Sequence, residues 1–264
     1  MGTIRDISDQ FETPILAFVD NGVQAVSDAV SGPFAAAAAL YKTFVTGACV
    51  IASSPRVAEM AKLTENSFRD VNIAFANELS IICDHLDIDV WELIALANRH
   101  PRVNVLQPGP GVGGHCIAVD PWFIVSSAPE EARLIRTARE ATHTTPGWGL
   151  GKVREAIGAH LMGTPGKTAA EVTLAVYGLA FKPDIDDLRE SPALAIARRL
   201  AAEHSGPMLV VEPNIETLPA GLEGSRLLKE SGSADVHVLL VDHREFRQGS
   251  KPEGVCVDFR GVWK

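Results

Sequence analysis

Apolar residues recur at three- and four-residue steps up to Ala159 and gather into short unbroken runs after Thr164, so the chain reads as helical first and mixed α/β second. Phe11, Ile15, Phe18, Gly22, Val26 and Val30 predict an amphipathic helix over residues 1–34, closed by Gly32-Pro33. Residues 35–44 predict a short second helix, and 47–52 a brief buried strand that Ser53-Ser54-Pro55 ends. The longest helical pattern runs from Arg56 to Asp87. Val57, Met60, Ala61, Thr64, Phe68, Val71, Phe75, Leu79 and Ile82 share one broad face there, read mostly as core. Another helix, over 89–98, stops at Arg99-His100-Pro101-Arg102. A mostly helical stretch over 129–159 is interrupted at Thr144-Thr145-Pro146-Gly147, which places a linker near 145–151.

Beyond Thr164 apolar strands are predicted over 171–177, 208–211, 236–241 and 255–259, with a helix over 192–204. Strands alternating with helices predict a parallel α/β sheet. The first strand runs into Gly178-Leu179-Ala180-Phe181-Lys182-Pro183, and ligands of such sheets bind beyond the strands' carboxyl ends. Ser191-Pro192 supplies an N-cap and a proline at the first helical position, exposing a helix N-terminus suited to phosphate at the same crevice. Lys182 and Arg189 either grip phosphates or neutralise Asp184, Asp186 and Asp187; their place at the strand end favours phosphates. Two acid-rimmed strand ends, at Glu212 and Asp242, offer places to recognise a nucleoside.

Between the two halves lies Gln107-Pro108-Gly109-Pro110-Gly111-Val112-Gly113-Gly114-His115-Cys116-Ile117-Ala118-Val119-Asp120-Pro121-Trp122. Its glycines and prolines forbid helix and strand alike and predict a shaped loop whose N–H groups stay free for a ligand. A free cysteine is most often a small apolar core residue. Here the polar, glycine-rich flank, with His115 adjacent and Asp120 four residues on, points instead to a reactive thiol and covalent catalysis. Gly109 to Gly114 formally satisfies G-x-G-x-x-G, but prolines replace the preceding strand, so it is rejected as a dinucleotide turn. Lys62, Asn66 and Arg69 project from one side of the long helix, either lining a cleft or forming a solvated face. His100 and Arg102 stand at a loop leading toward Cys116, where they suit phosphates or a sugar, or else complement the helix dipole.

The chain has 264 residues, room for two compact domains, and 46% hydrophobic content. A formal net charge of −9 disfavours nucleic acid and anionic membranes as partners. Four scattered cysteines without a C-x-x-C pair, and the lack of a signal-peptide pattern or long apolar run, predict a cytoplasmic protein with free thiols and no metal site.

Three separated motifs, Lys62-Leu63-Thr64-Glu65-Asn66, the Gly109 to Trp122 loop and Gly178 to Pro183, together resemble the UDP-glucose/UDP-mannuronate dehydrogenase family. The resemblance covers residues 35 to the C-terminus in family order. It implies an all-helical central domain over 56–147, a Rossmann-like parallel α/β UDP-sugar-binding domain over 148–264, and in 35–55 only the tail of an NAD-binding Rossmann domain. Residues 1–34 match no part of that domain.

The reaction it implies is NAD-dependent four-electron oxidation of a UDP-sugar C6 alcohol to the carboxylate, for surface-polysaccharide precursors. Cys116 would be the nucleophile, passing through a thiohemiacetal and a thioester. Lys62 would be acid/base and oxyanion stabiliser, with Asn66 and Asp120 orienting oxygen or water. Arg69, His100, Arg102, the Gly113 backbone, Phe181, Lys182 and Arg260 would contact the substrate, and Arg189 a cofactor phosphate. Loop wording favours N-acetylmannosamine over glucose as the sugar. The helix over 56–87 resembles the family's dimerisation helix and implies a homodimer.

Without the NAD domain the chain is expected to bind substrate weakly and to transfer no hydride unless a separate NAD-binding domain is supplied. Two other readings stand beside this one: a silent UDP-sugar-binding or assembly fragment, and, ranked last, a cysteine hydrolase using His115 and Asp120.

Overall fold

The structure, a computed structural model, describes residues 17–18, 24–27, 33–47 and 49–263. Two compact units emerge, the first from Met1–Val71 with Val119–Thr137, the second from Asn72–Ala118 with Ala138–Lys264.

In the first unit, β1 (Ala17–Phe18), β2 (Gln24–Ser27) and β3 (Cys49–Ala52) form a three-stranded sheet in that order. β1 pairs antiparallel with β2, while β2 and β3 are parallel and joined through α1 (Pro33–Tyr41). The helix expected over 1–34 is therefore corrected: its described residues before Pro33 are strands, and the rest lie outside the described residues. The strand expected at 47–52 is present as β3, but Val50 is half exposed rather than buried.

Helix α2 (Pro55–His85) matches the sequence expectation in extent but not in which face is covered. Ala58, Leu63, Asn66, Ser67, Asp70, Ala74 and Asn77 are buried, whereas Val57, Met60, Phe68, Phe75 and Ile82 are 43–69% exposed. The large apolar stripe read as core thus faces outward, and small and polar residues form the side the chain itself covers. Ile124 and Val125 of α4 (Asp120–Ser127) pack with Leu63 and Ala132 in this unit's small core.

The second unit contains α3 (Val90–Ala97), capped by the Asp89 carboxylate accepting from Trp91 N and Glu92 N. Helix α5 (Arg133–Gly163) continues without interruption past Pro146, so the linker expected near 145–151 is corrected. A proline inside a helix costs about 3 kcal/mol. Just beyond it, Leu150 and Val153 are fully buried in the sheet core, each contributing about 1.5–3 kcal/mol of burial, which offsets the lost bond.

The sheet order is β6-β5-β4-β7-β8, all parallel: β4 (Leu174–Tyr177), β5 (Met208–Val211), β6 (Arg226–Leu228), β7 (Val236–Leu239) and β8 (Val255–Asp258). The four strands read from sequence are present. β6, three residues with no fully buried position, gives no apolar run and is an addition, as is α7 (Arg244–Gln248). One sheet face packs on α5 and α6 (Pro192–Glu203) through Leu174, Val176, Ile196 and Leu200; the other carries Tyr177, Phe246 and Trp263. The chain enters at central β4, builds outward to β6, then crosses back to β7. The switch point between β4 and β7 opens the crevice where such sheets hold ligands.

Candidate active site

The candidate residues fall on both units. In the first, α2 carries Lys62, Asn66 and Arg69, and α4 begins with Asp120, a carboxylate favoured at a helix N-terminus. The packing of Leu63 against Ile124 and Val125 sets α4 beside α2. Asn66 Nδ2 then donates to Asp120 Oδ2 at 2.5 Å, although 54 residues separate them. Asn66 is only 1% exposed, so the polar row is partly inside rather than solvated. Lys62 Nζ donates to Glu65 Oε2 at 2.9 Å, in a pair roughly a quarter exposed. Glu65 was not singled out from the sequence, and its i, i+3 spacing to Lys62 was the available signal.

In the second unit the loop between α3 and α4 has no regular structure, as its composition dictates, and three tethers shape it. Asn77 Oδ1 accepts from Gly109 N at 2.9 Å; Arg260 Nη1 donates to Pro108 O at 3.1 Å; Gly114 N donates to Arg189 O at 3.3 Å. Two of the loop's N–H groups are thus used by the protein rather than left for a ligand, contrary to expectation. At Gly113 a Cβ would lie 2.6 Å from Glu190 O and 2.8 Å from both Phe181 Cβ and Pro192 Cδ, so only glycine lets the loop press on the β4 crevice. The loop delivers Cys116 to an exposed position, as a reactive thiol requires, whereas Cys83 is buried in the manner of a core residue.

Lys182 Nζ lies 5.7 Å above the centre of the Phe181 ring. Arg189 and Asp187 form a bidentate pair, with Arg189 Nε and Nη2 donating to the carboxylate at 2.6–3.0 Å. The side-chain and backbone bonds from Arg189 hold the Asp187 carboxyl down at about 2. The neutralising reading is therefore the one the geometry shows for Arg189. Arg260 is similarly engaged, donating from Nε to Asp242 Oδ1 at 2.7 Å while reaching Pro108. His100 and Arg102 are exposed on a loop that Asn98 closes by bonding both N and O of Val105. Beside Pro108 and Gly109 a cavity of about 280 Å³ is walled by Trp91, Trp148 and Phe259.

Sequence reasoning did not find the polar cluster beneath the crevice. Glu212 and His243 are fully buried. Glu212 Oε2 accepts from Leu179 N at 2.7 Å and from His243 Nε2 at 3.0 Å, and Oε1 accepts from Asn214 N. Burial works to raise the Glu212 pKa, but the bonds from His243, Leu179 and Asn214 outweigh it and the net direction is down. With its oxygens occupied inside the fold, Glu212 is a framework group rather than the nucleoside contact its strand-end position suggested.

Residues 56–144 match the UDP-glucose/GDP-mannose dehydrogenase family, central domain, and residues 175–264 match the same family's UDP binding domain. The chain therefore belongs to the UDP-glucose/GDP-mannose dehydrogenase family. It is 60% identical over 238 residues to UDP-N-acetyl-D-mannosamine dehydrogenase of Yersinia pestis, covering 87% of this chain and 56% of that protein. It is 55% identical over 234 residues to NDP-N-acetyl-D-galactosaminuronic acid dehydrogenase of Ralstonia solanacearum, covering 86% and 53%. Among solved structures it resembles UDP-D-ManNAc dehydrogenase from Pyrococcus horikoshii, with TM-score 0.74, 33% identity, and 92% of this chain and 57% of that one covered. The chain thus spans little more than half the length of the curated relatives it matches.

The described residues do not fit an NAD site. Their one G-x-G-x-x-G pattern lies in the Cys116 loop, where Gly113 and Gly114 press against Phe181 and no helix begins until Asp120.

Proposed function

We propose that the chain is the substrate half of a UDP-sugar 6-dehydrogenase, acting on UDP-N-acetyl-D-mannosamine. The observation that carries this is the glycine loop pressed onto the β4 crevice through Gly113, which puts an exposed Cys116 on the same unit as a nucleotide-type parallel sheet. In this reading the UDP moiety lies beyond β4 and β7, with Phe181, Lys182, Arg260 and the Gly113 backbone as its contacts, and Arg69, His100 and Arg102 toward the sugar. Its two oxidations need NAD as hydride acceptor, on a dinucleotide domain that the described residues do not supply. Arg189 would reach a cofactor phosphate only by leaving Asp187.

This chain's own residues handle the covalent and proton steps. Cys116 adds to the C6 aldehyde carbon, forming a C–S bond while Lys62 delivers the proton to the oxygen. At the thioester stage water adds to the carbonyl carbon and the Cys116 thiolate leaves, with Asn66 and Asp120 holding the oxygen and the water. Cutting one hard oxidation into bound stages is what a covalent nucleophile provides. The exposed stripe of α2 supports a homodimer, because Ala61, Phe68, Phe75 and Ile82 recur every seven residues as a helix-pairing seam does.

The test is NADH formation from NAD+ and UDP-N-acetylmannosamine. The chain alone is expected to give none. The chain with a supplied dinucleotide domain is expected to give a signal that Cys116→Ser abolishes, and a signal surviving that substitution refutes the assignment. A second reading, a silent UDP-sugar-binding fragment, is favoured by the partial length relative to the curated relatives. Substrate binding without turnover once the domain is supplied would select it.

A further inference from the structure

The loop from Gly178 to Ser191 carries Phe181 and Lys182, yet it has no helix or strand of its own to hold its shape. Two buried side chains from other strand ends are among the groups that hold it. Glu212, just beyond β5, takes the Leu179 N–H at 2.7 Å, and His243, beyond β7, takes the Asp184 N–H on Nδ1 at 2.9 Å. Asn214 Nδ2 also donates to His243 Nδ1, at 3.1 Å. With donors converging on Nδ1, that nitrogen carries the lone pair. The ring proton therefore sits on Nε2 and is donated to Glu212 Oε2 at 3.0 Å, which fixes one tautomer. Phe246 packs on the ring, its centroid 5.5 Å away, and the Asp184 carboxylate is held outside by Arg244 N and Arg247.

We infer that His243 and Glu212 are positioning residues for nucleotide-sugar binding, clamping the Phe181–Lys182 loop at both sides in the shape the ligand requires. A buried carboxylate and imidazole are costly, and an apolar pair of similar volume would often be as stable. What an apolar pair could not do is accept Leu179 N and Asp184 N, one on either side of Phe181 and Lys182. The inference rests on the UDP-sugar reading of this crevice and extends it to residues that touch no ligand.

The two bonds of the ring are separable by substitution. Asparagine places an oxygen where Nδ1 stands, keeping an acceptor for Asp184 N and losing the donor to Glu212. Glutamine places an NH2 where Nε2 stands, keeping the Glu212 bond and losing the loop. Titrating UDP into the chain by calorimetry, His243→Gln is expected to weaken binding about tenfold, and His243→Asn by less than about threefold.

Melting temperatures, read in parallel, are expected not to follow that order: His243→Gln loses the two part-buried bonds accepted on Nδ1, whereas His243→Asn loses the fully buried bond to the Glu212 carboxylate. Equal affinities, or affinities that simply track melting temperature, overturn the inference. No UDP binding by the unsubstituted chain overturns the proposed function and this inference with it. If neither variant folds, nitrogen-15 NMR of the unsubstituted chain decides. The expected result is a protonated Nε2, a bare Nδ1 and an Asp184 amide that shifts when UDP is added; a protonated Nδ1 or an unmoved amide overturns it.

Discussion

Asn66 and Asp120, 54 residues apart in sequence, meet through a 2.5 Å hydrogen bond from the Asn66 amide to the Asp120 carboxylate. Asn66 is 1% exposed and Asp120 half-buried, so the donor of this bond lies inside the fold and its acceptor at the edge of it. Asn66→Ala should take this donor from the half-buried carboxylate and lower stability by about 1–3 kcal/mol. Asn66→Asp, which sets two acids face to face, should cost at least as much at neutral pH and recover on acidification. Thermal melts at pH 7 and pH 4 check both; a neutral Asn66→Ala would contradict the bond.

Gly113→Ala drives a methyl to 2.6 Å from Glu190 O and 2.8 Å from Phe181 Cβ. Overpacking of this kind costs about 1–3 kcal/mol. The strain falls on the junction of the Cys116 loop with the β4 crevice, so UDP affinity should drop about tenfold or more, by the same arithmetic. Calorimetry with UDP measures it. Gly151→Ala, where a Cβ meets nothing within 4 Å, is the control and should change neither affinity nor fold.

How much of this was legible beforehand depends on what each residue's partner is. The loop around Cys116 was readable because glycine and proline restrict the backbone locally, whatever surrounds them. The extent of α2 was equally readable from its period. Which side of α2 is covered was not: Phe68 and Phe75 announce an apolar face but not whether the chain itself supplies the cover. Pro146 looked like a break because the compensating burial of Leu150 and Val153 is tertiary. Glu212 and His243 were visible only as strand-end polar residues, since 31 positions separate the two and nothing local marks the pairing.

The exposed stripe on α2 predicts assembly. Phe68→Asp with Phe75→Asp should give a monomer by light scattering if the homodimer forms through this face, while secondary structure by circular dichroism stays unchanged. A double variant that remains dimeric would place the interface elsewhere.

Asp187 titrates at about 2, held down first by its side-chain bond from Arg189. A depressed carboxyl pKa stabilises the fold above the unfolded value and loses that contribution as pH falls through the folded one. The pair should therefore persist at pH 4 and dissolve only near pH 2. Carboxyl carbon-13 NMR follows it directly; a midpoint near the ordinary value of about 3.9 would show that the pair does not form in solution.

In the proposed function Cys116 and the sheet crevice serve one nucleotide-sugar substrate. The most direct measurement is the rate of iodoacetamide alkylation at each cysteine by mass spectrometry, with and without UDP-N-acetylmannosamine. The prediction is that exposed Cys116 reacts ahead of buried Cys83, and that the sugar nucleotide slows Cys116 while leaving half-buried Cys256 unaffected. Alkylation of Cys116 at an unchanged rate under saturating sugar nucleotide would contradict the claim.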